Sequence, residues 1–257
     1  MRTFSIVIPA YDNLPLLQQA LASVLRQEGT DYEVIITDDS SNDDIRQYIN
    51  SLNDDRIHYV RHHQGQSAAE NWNYGLQQAT GQYLILMHHD ERMKSPYYLR
   101  RVGQLIPGYD IIVSKVEVSV NSQQRHRRFP KWMLSLSVRH PALLFFLNAI
   151  GPCACVTFRR ERLQTFDTRL RWLVDVEWYY RMLKGSRCHF DTGLCIESVH
   201  GHEGQISQTL HLPETFLKDK AILLQTYRNN TPVRLMLWLY QSLILRKKHL
   251  SERYEDR

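Results

Sequence analysis

The chain has 257 residues, of which 43% are hydrophobic and 23% charged, and its formal net charge is +5. A chain of this length and composition forms one large α/β domain, or one domain with an appendage. Four cysteines exclude a disulfide-stapled miniprotein, and no apolar segment reaches the ~18 residues of a membrane-spanning helix. The positive charge suits an anionic partner, such as a nucleotide, a phospholipid surface or nucleic acid.

The cysteines are expected to be reduced thiols of a cytoplasmic protein. Residues 1–3 lead directly into the first predicted strand, so we expect no secretory signal. Cys153 and Cys155 form a Cys-x-Cys pair with histidines downstream. A zinc site there is disfavoured, because the spacing matches no familiar zinc module.

Strands and helices alternate three times over the first ninety residues. Apolar runs predict strands at residues 4–9, 32–37, 57–60 and 83–87, with helical apolar stripes between them at 14–26, 45–52 and 67–79. Asn13 is placed to cap the first helix, and Gly81 to end the third. Strands that alternate with helices in this way form right-handed βαβ units, so the sequence predicts a parallel sheet.

Acidic residues follow three of these strands at the point where each ends: Asp12, then Asp38 and Asp39, then Asp90 and Glu91. Ligands bind beyond the carboxyl ends of parallel strands, and carboxylates there can hold a ribose, a base or a divalent cation. No Gly-x-Gly-x-x-Gly or Gly-Lys-Ser/Thr loop is present, which disfavours dinucleotide dehydrogenases and P-loop enzymes. The structural alternative is that Asp38 or Asp39 only caps the next helix.

The second half of the chain is less regular. The patterns predict a half-exposed strand at 109–120, a polar and basic mobile loop at 121–128, a short helical flap at 129–150, and a strand at 154–158. Helices are predicted at 173–183 and 213–227, with a glycine-punctuated loop at 200–207 between them. Asp175 lies at the start of the first of these helices, where the helix dipole favours a carboxylate.

Residues 233–248 form an amphipathic, aromatic segment that ends in Arg246, Lys247 and Lys248. About eleven residues separate Arg234 from Arg246, too few to span a membrane. A basic amphipathic helix with Trp and Tyr can lie in a membrane interface, and it can equally pack on its own domain or in a dimer.

Four motifs occur in a fixed order: IVIPAYD at 6–12, DDSSND at 38–43, NWNYGL at 71–76 followed by GQY, and YLILMHHDE at 83–91. Over residues 4 to 210, this order resembles the family 2 glycosyltransferases of the GT-A fold. The resemblance implies an α/β fold with a mixed, mostly parallel central sheet flanked by helices. It implies a transferase domain at 1–210 and a C-terminal helical extension at 211–257, either membrane-interfacial or oligomerising.

The resemblance also implies roles for individual residues. Nucleotide-binding positions are expected at Pro9, Ala10, Tyr11, Asp12, Asp39, Ser40, Asn73, His88 and His89. Asp90 matches the last carboxylate of the metal-binding Asp-x-Asp motif, and His202 matches a loop that contacts the metal or diphosphate, with His200 as the fallback. His88 stands where many members have Asp, and imidazole binds Mn²⁺ more readily than Mg²⁺. A divalent cation, Mn²⁺ or Mg²⁺, is therefore the implied cofactor.

Asp175 matches the carboxylate that acts as catalytic base in inverting members, and Glu177 is the alternative base. The implied reaction moves a sugar from a nucleotide diphosphate, by default UDP, to a glycan or lipid-linked acceptor. Together with the tail, this predicts a cytoplasmic enzyme at the inner membrane face. The alternatives are a sugar nucleotidyltransferase and a non-catalytic, membrane-docking relative. Nucleic-acid binding is disfavoured, because the basic residues are dispersed.

Overall fold

The computed structural model describes residues 3–62, 67–120, 123–125, 129–201 and 211–255. The N-terminal part is a parallel four-stranded unit in the order β3-β2-β1-β4. Its strands are β1 (Phe4–Ala10), β2 (Tyr32–Asp38), β3 (Ile57–Arg61) and β4 (Tyr83–Leu86). The connecting helices are α1 (Leu14–Leu25), α2 (Asp44–Leu52) and α3 (Ala68–Gln78). The predicted βαβ alternation is confirmed.

Local sequence signals account for these elements. Asn13 caps α1 by accepting the backbone N–H of Leu16 at 3.1 Å. Ser67 and Glu70 form a capping box at the start of α3. A Cβ at Gly75 would lie 2.5 Å from Val7 Cγ1. Glycine at this position therefore allows α3 to approach the sheet closely.

The second part of the sheet is mixed. It contains β5 (Glu91–Met93), β6 (Ile111–Val120), β7 (Gln123–Arg125), β8 (Val156–Arg159) and β9 (Cys188–His200). The full order is β3-β2-β1-β4-β8-β6-β9-β5, with β7 paired to β6. β8 runs antiparallel to both β4 and β6, so it joins the two parts of the sheet. The helices of this part are α4 (Tyr98–Leu105), α5 (Lys131–Arg139) and α6 (Val174–Leu183), with 3₁₀ helices at Pro141–Phe145 and Cys153–Cys155.

Three details differ from the sequence-based expectations. β5 and β9 were not predicted, because β9 carries polar residues and a register irregularity opposite Ser114 and Lys115 that breaks its alternation. The predicted loop at 121–128 contains β7. The predicted strand at 154–158 begins only at Val156, because the residues before it form a 3₁₀ turn. The prediction of a helical segment within 129–150 is confirmed.

Two C-terminal helices, α7 (Leu212–Thr226) and α8 (Thr231–Glu255), lie against the α/β domain. Phe216 and Leu223 of α7 and Val233 and Leu237 of α8 are buried in the same core as the sheet. One face of α8 therefore packs on its own domain, while the predicted boundary at residue 210 remains a prediction. Within the described ranges, no helix combines the length and apolar character needed to cross a membrane.

Asp219 of α7 fixes the turn that precedes α6. Its carboxylate is 1% exposed and accepts the backbone N–H groups of Trp172 at 2.7 Å and Leu173 at 2.8 Å, and also that of Arg171. Burial raises the pKa of Asp219, against the effect of these hydrogen bonds. The carboxylate thus ties the C-terminal helices to the loop that carries Asp175.

We expect Asp219→Ala to lower the free energy of unfolding by about 3 kcal/mol, because several backbone donors lose their acceptor. In a thermal melt this corresponds to a decrease of roughly 6–12 °C for a chain of this size. Glu214→Ala is the matched control, because Glu214 is an exposed carboxylate on the same helix. Equal melting temperatures for the two variants would contradict the anchoring role.

Candidate active site

The loops after β1 and β2 are bound to each other at the carboxyl edge of the sheet. Asp12 has a φ of 44° and donates its backbone N–H to Ser40 Oγ at 2.8 Å. In return, the backbone N–H of Ser41 donates to Asp12 Oδ1 at 2.9 Å. Pro9 and Ala10 are buried at the end of β1, and the Tyr11 side chain is 60% exposed beside them. The predicted nucleotide-binding residues of these two loops thus form one surface.

Asp38 and Asp39 differ in their surroundings. The Asp38 side chain is fully buried and accepts hydrogen bonds from the Tyr59 hydroxyl at 2.7 Å and from Arg61 at 3.1 Å. It also accepts the backbone N–H of Ser40, so it is a structural anchor. The Asp39 carboxylate is 19% exposed and lies 3.7 Å from His62 Nδ1. Asp39 therefore remains the candidate for a ligand contact.

Asn73 bridges α3 to a distant loop. Its Nδ2 donates to the carbonyl of Phe166 at 3.0 Å, and its Oδ1 accepts the Phe166 backbone N–H at 2.7 Å. Both ends of the amide are thus used within the fold. The nucleotide contact assigned to Asn73 remains a prediction.

His88 and Glu91 form a pair immediately after β4. His88 Nδ1 lies 3.0 Å from Glu91 Oε1, and the His88 backbone N–H donates to Glu91 Oε2 at 2.9 Å. The Trp72 ring packs on the imidazole with 4.7 Å between centroids. Burial by itself lowers the pKa of His88, but the charges of Glu91, Asp90 and Asp175 outweigh it and raise the pKa.

This cluster has the composition of a divalent-cation site. One ligand atom from each of His88, Asp90 and Glu91 can be chosen so that all lie within 4.8 Å of one another. His88 Nε2 is buried and has no hydrogen-bond partner among the described residues. One imidazole and two carboxylates suit Mn²⁺ and similar divalent ions. Glu91, which the sequence analysis named among the strand-end carboxylates without giving it an individual role, supplies a second carboxylate beside His88.

The other predicted ligands are placed differently. His89 is partly buried in the turn before β5, next to the cluster. His200 ends β9, where its Nε2 lies 3.1 Å from Ser198 Oγ. His202 lies outside the described residues, so its part in the site remains a prediction. Cys153 and Cys155 are buried and form no disulfide, and within the described ranges neither belongs to a cluster with metal-ligand geometry.

Asp175 lies in the first turn of α6 and is held by two hydrogen bonds. Its Oδ1 accepts the backbone N–H of Val176 at 2.8 Å, and its Oδ2 accepts Asn148 Nδ2 at 2.8 Å. The Asn148 side chain also bonds both the N–H and the carbonyl of Gly151. Asn148 therefore fixes the orientation of the Asp175 carboxylate. Sequence reasoning missed this residue, because it lies inside a segment interpreted only as a helical flap.

Glu177 points to a different environment. Its carboxylate is buried and receives two hydrogen bonds from Arg181, at 2.7 and 2.8 Å, and one from the Tyr227 hydroxyl at 2.6 Å. Two residues along a helix correspond to a rotation of about 200°, so Glu177 and Asp175 lie on opposite sides of α6. With an arginine and a tyrosine bound to it, Glu177 has the contacts of a structural carboxylate.

A cavity of about 630 Å³ opens beside Glu177 and Arg181. Its lining comes from residues 164–167, from α6 and from residues 226–230. None of the strand-end residues described above takes part in it. The cavity is thus separate from the cluster at Asp90, and its volume does not identify the reacting centre.

Comparison with known proteins adds three findings. The profile of the family described as Glycosyl transferase family 2 matches residues 5–166. A relative from Campylobacter jejuni, GalNAc(5)-diNAcBac-PP-undecaprenol beta-1,3-glucosyltransferase, is 33% identical over 98 residues, which are 37% of this chain and 32% of the relative. Alignments with the first curated relatives span between 32% and 66% of those proteins.

Two solved structures share the fold. S. aureus TarS 1-349 in complex with UDP-GlcNAc has a TM-score of 0.67 and 16% identity, covering 86% of this chain and 66% of that one. The mannosyltransferase PcManGT from Pyrobaculum calidifontis, in complex with GDP-Man and Mn²⁺, has a TM-score of 0.65 and 15% identity, covering 94% and 70%. The family match includes Asp39 and Asp90 but ends before Asp175.

Proposed function

This chain belongs to the family 2 glycosyltransferases, and from that membership we propose that it transfers a sugar from a nucleotide diphosphate to an acceptor hydroxyl with inversion. One observation carries the proposal. The His88, Asp90 and Glu91 side chains can offer ligand atoms within 4.8 Å of one another at the carboxyl end of β4. Asp175, whose carboxylate is oriented by Asn148, would supply the second group that a displacement at a sugar carbon requires.

The donor is proposed to be a UDP-sugar held at the loops after β1 and β2. Tyr11 offers an exposed ring for the base, and Asp39 a partly exposed carboxylate for the ribose. Pro9, Ala10, Asp12 and Ser40 shape this surface through the contacts between the two loops. The TarS complex with UDP-GlcNAc supports the choice of UDP, while the GDP-Man complex of PcManGT makes GDP the alternative.

Asp90 is proposed to hold a divalent cation together with His88 and Glu91, and His202 is a further candidate ligand. Such a cation neutralises the charge that develops on the leaving diphosphate. The Mn²⁺ in the PcManGT structure supports this assignment. His89 next to the cluster is proposed to contact the diphosphate.

Asp175 is proposed to be the catalytic base. Its carboxylate takes the proton from the acceptor hydroxyl while that oxygen bonds to the anomeric carbon and the bond to the diphosphate breaks. One displacement at this carbon inverts its configuration. Asn148 holds the carboxylate in place through Oδ2. The acceptor is proposed to be a lipid-linked glycan, as the undecaprenol-linked acceptor in the name of the C. jejuni relative suggests.

A thermal-shift panel tests the proposal. UDP- and GDP-sugars are each measured with Mn²⁺, Mg²⁺ or EDTA. We expect a UDP-sugar with Mn²⁺ to stabilise the protein by about 2.7 kcal/mol at a concentration of 100 times its Kd. Transfer to lipid-linked glycans is then measured by release of UDP.

The competing functions give different results. A non-catalytic relative would release no UDP with any acceptor, even where a donor binds. A sugar nucleotidyltransferase would instead release pyrophosphate from a nucleoside triphosphate and a sugar phosphate.

A further inference from the structure

Large apolar side chains project outward from two helices of the described structure. On α5, Trp132 is 66% exposed and Leu136 is 40% exposed. On α8, Trp238 is 60% exposed, Leu235 is 49% exposed and Leu243 is 42% exposed. We call these five residues the apolar face. Single exposed apolar residues are common, but a group with two tryptophans marks an interaction surface.

The fold connects the two helices that carry this face. The 3₁₀ helix Pro141–Phe145 packs against both α5 and α8. Val233 and Leu237 of α8 are buried against the domain, so Leu235 and Trp238 belong to the side turned away from it. Leu235 and Trp238 are therefore exposed although α8 is packed against its own domain.

The segments 121–150 and 227–251, which carry the apolar face, contain no acidic residue, and Glu252 and Glu255 follow only at the end of α8. The whole chain has 27 Asp and Glu residues. The same segments carry ten Lys and Arg residues: Arg125, Arg127, Arg128, Lys131, Arg139, Arg228, Arg234, Arg246, Lys247 and Lys248. Of these cations, Arg139, Arg228 and Arg234 have described side chains, and all three are exposed. Segments with exposed apolar and aromatic side chains, several cations and no anion have the composition of an interfacial membrane contact.

The apolar face is also linked to the proposed base. Asn148, which bonds Asp175, follows the 3₁₀ helix by three residues. From the other side, Trp172 Nε1 donates to the Tyr240 hydroxyl of α8 at 3.1 Å. Hydrogen bonds therefore link the residues around Asp175 to α8 and to the segment that follows the 3₁₀ helix.

We propose that the apolar face docks this protein on an anionic phospholipid membrane, with Trp132 and Trp238 inserted at the headgroup level. A second copy of the chain fits less well, because a two-fold interface would bring the same cations together with no carboxylate between them. The inference rests on the proposed function in one respect only, which is that a lipid-linked acceptor would lie in the same membrane. Attachment to lipid itself can be measured without donor or acceptor.

Vesicle co-sedimentation of the full chain tests the proposal. We expect binding to phosphatidylcholine vesicles that contain phosphatidylglycerol, and little binding to phosphatidylcholine alone. The double variant Trp132→Ser and Trp238→Ser should bind the anionic vesicles roughly a hundredfold more weakly, about tenfold for each buried aromatic side chain that is lost. Tyr97→Ser is the matched control, since Tyr97 is 51% exposed but lies at the start of α4.

The proposal is overturned if the wild type ignores anionic vesicles, or if the double variant binds them as well as the control does. It is also overturned if the wild type is a stable dimer that the same two substitutions dissociate, since the face would then belong to a second copy. Two further measurements separate membrane attachment from the proposed donor binding: the thermal shift that a UDP-sugar causes in each variant, and the melting temperature of each variant alone. An unchanged donor response with lost vesicle binding assigns the effect to the surface.

Discussion

Asp175→Asn should lower kcat by about 10³-fold, because a general base typically contributes 10²–10⁴-fold and an amide cannot accept the proton. Donor affinity should change little, since Asp175 faces the acceptor in the proposed reaction. Asn is nearly isosteric with Asp, and its side-chain oxygen can still accept one of the two hydrogen bonds that now hold the carboxylate. Initial rates of UDP release and donor titrations by thermal shift measure the two effects separately.

Two further variants identify the base. Glu177→Gln should retain most of the transfer rate and melt at a lower temperature, because Glu177 is buried against Arg181 and Tyr227. Asn148→Ala should lower kcat about tenfold, the typical value for losing a hydrogen bond to a charged group. A wild-type rate for Asp175→Asn, or a larger loss for Glu177→Gln, would move the base to Glu177.

Asp90→Ala should abolish the effect of Mn²⁺ on donor binding. The variant loses the carboxylate assigned to the cation, so the UDP-sugar should give the same small thermal shift with Mn²⁺ as with EDTA. Transfer should fall by more than about 10³-fold, since a cation at the leaving diphosphate supplies several kcal/mol of stabilisation. Manganese EPR of the protein without donor gives a second readout that does not depend on activity.

The control for this variant is Glu214→Ala, which removes an exposed carboxylate from α7. It should keep the full Mn²⁺-dependent shift. If Asp90→Ala also kept that shift, the assignment of the cation to the His88, Asp90 and Glu91 cluster would be wrong. His88→Ala separates the contributions further, because it removes the imidazole while both carboxylates remain.

The N-terminal half of the fold was predictable because three of its four strands are buried on both faces. β1, β2 and β4 are buried throughout, so they appear in the sequence as short apolar runs between amphipathic helices. β9 was missed for the opposite reason. It alternates irregularly, carries Asp191 and Glu197, and is interrupted opposite Ser114. Its pairing with β6 depends on a partner far away in sequence, which a local pattern does not reveal.

The sequence likewise indicated some residues of the candidate site and not others. The motif order placed Asp39, Asp90 and Asp175 in roles that their surroundings allow. Asn148 could not be found, because its importance arises from a contact with a residue 27 positions away. The resemblance assigned the base to Asp175, with Glu177 as the alternative. In the structure Arg181 and Tyr227 bind Glu177 while Asn148 binds Asp175, so the surroundings of the two carboxylates differ.

The antiparallel pairing of β4 with β8 also bears on the order of folding. β1 with β2 and β2 with β3 are pairs of neighbouring segments, and such low-contact-order structure forms early. β8 and β9 pair with strands that lie much earlier in the chain, such as Tyr83 for Arg159 and Glu91 for Ser198. β4, which leads to Asp90, pairs with β1 over a similarly long separation, Phe4 with Tyr83. The proposed site needs both Asp90 and Asp175, so we expect it to form only after β1, β2 and β3 have paired.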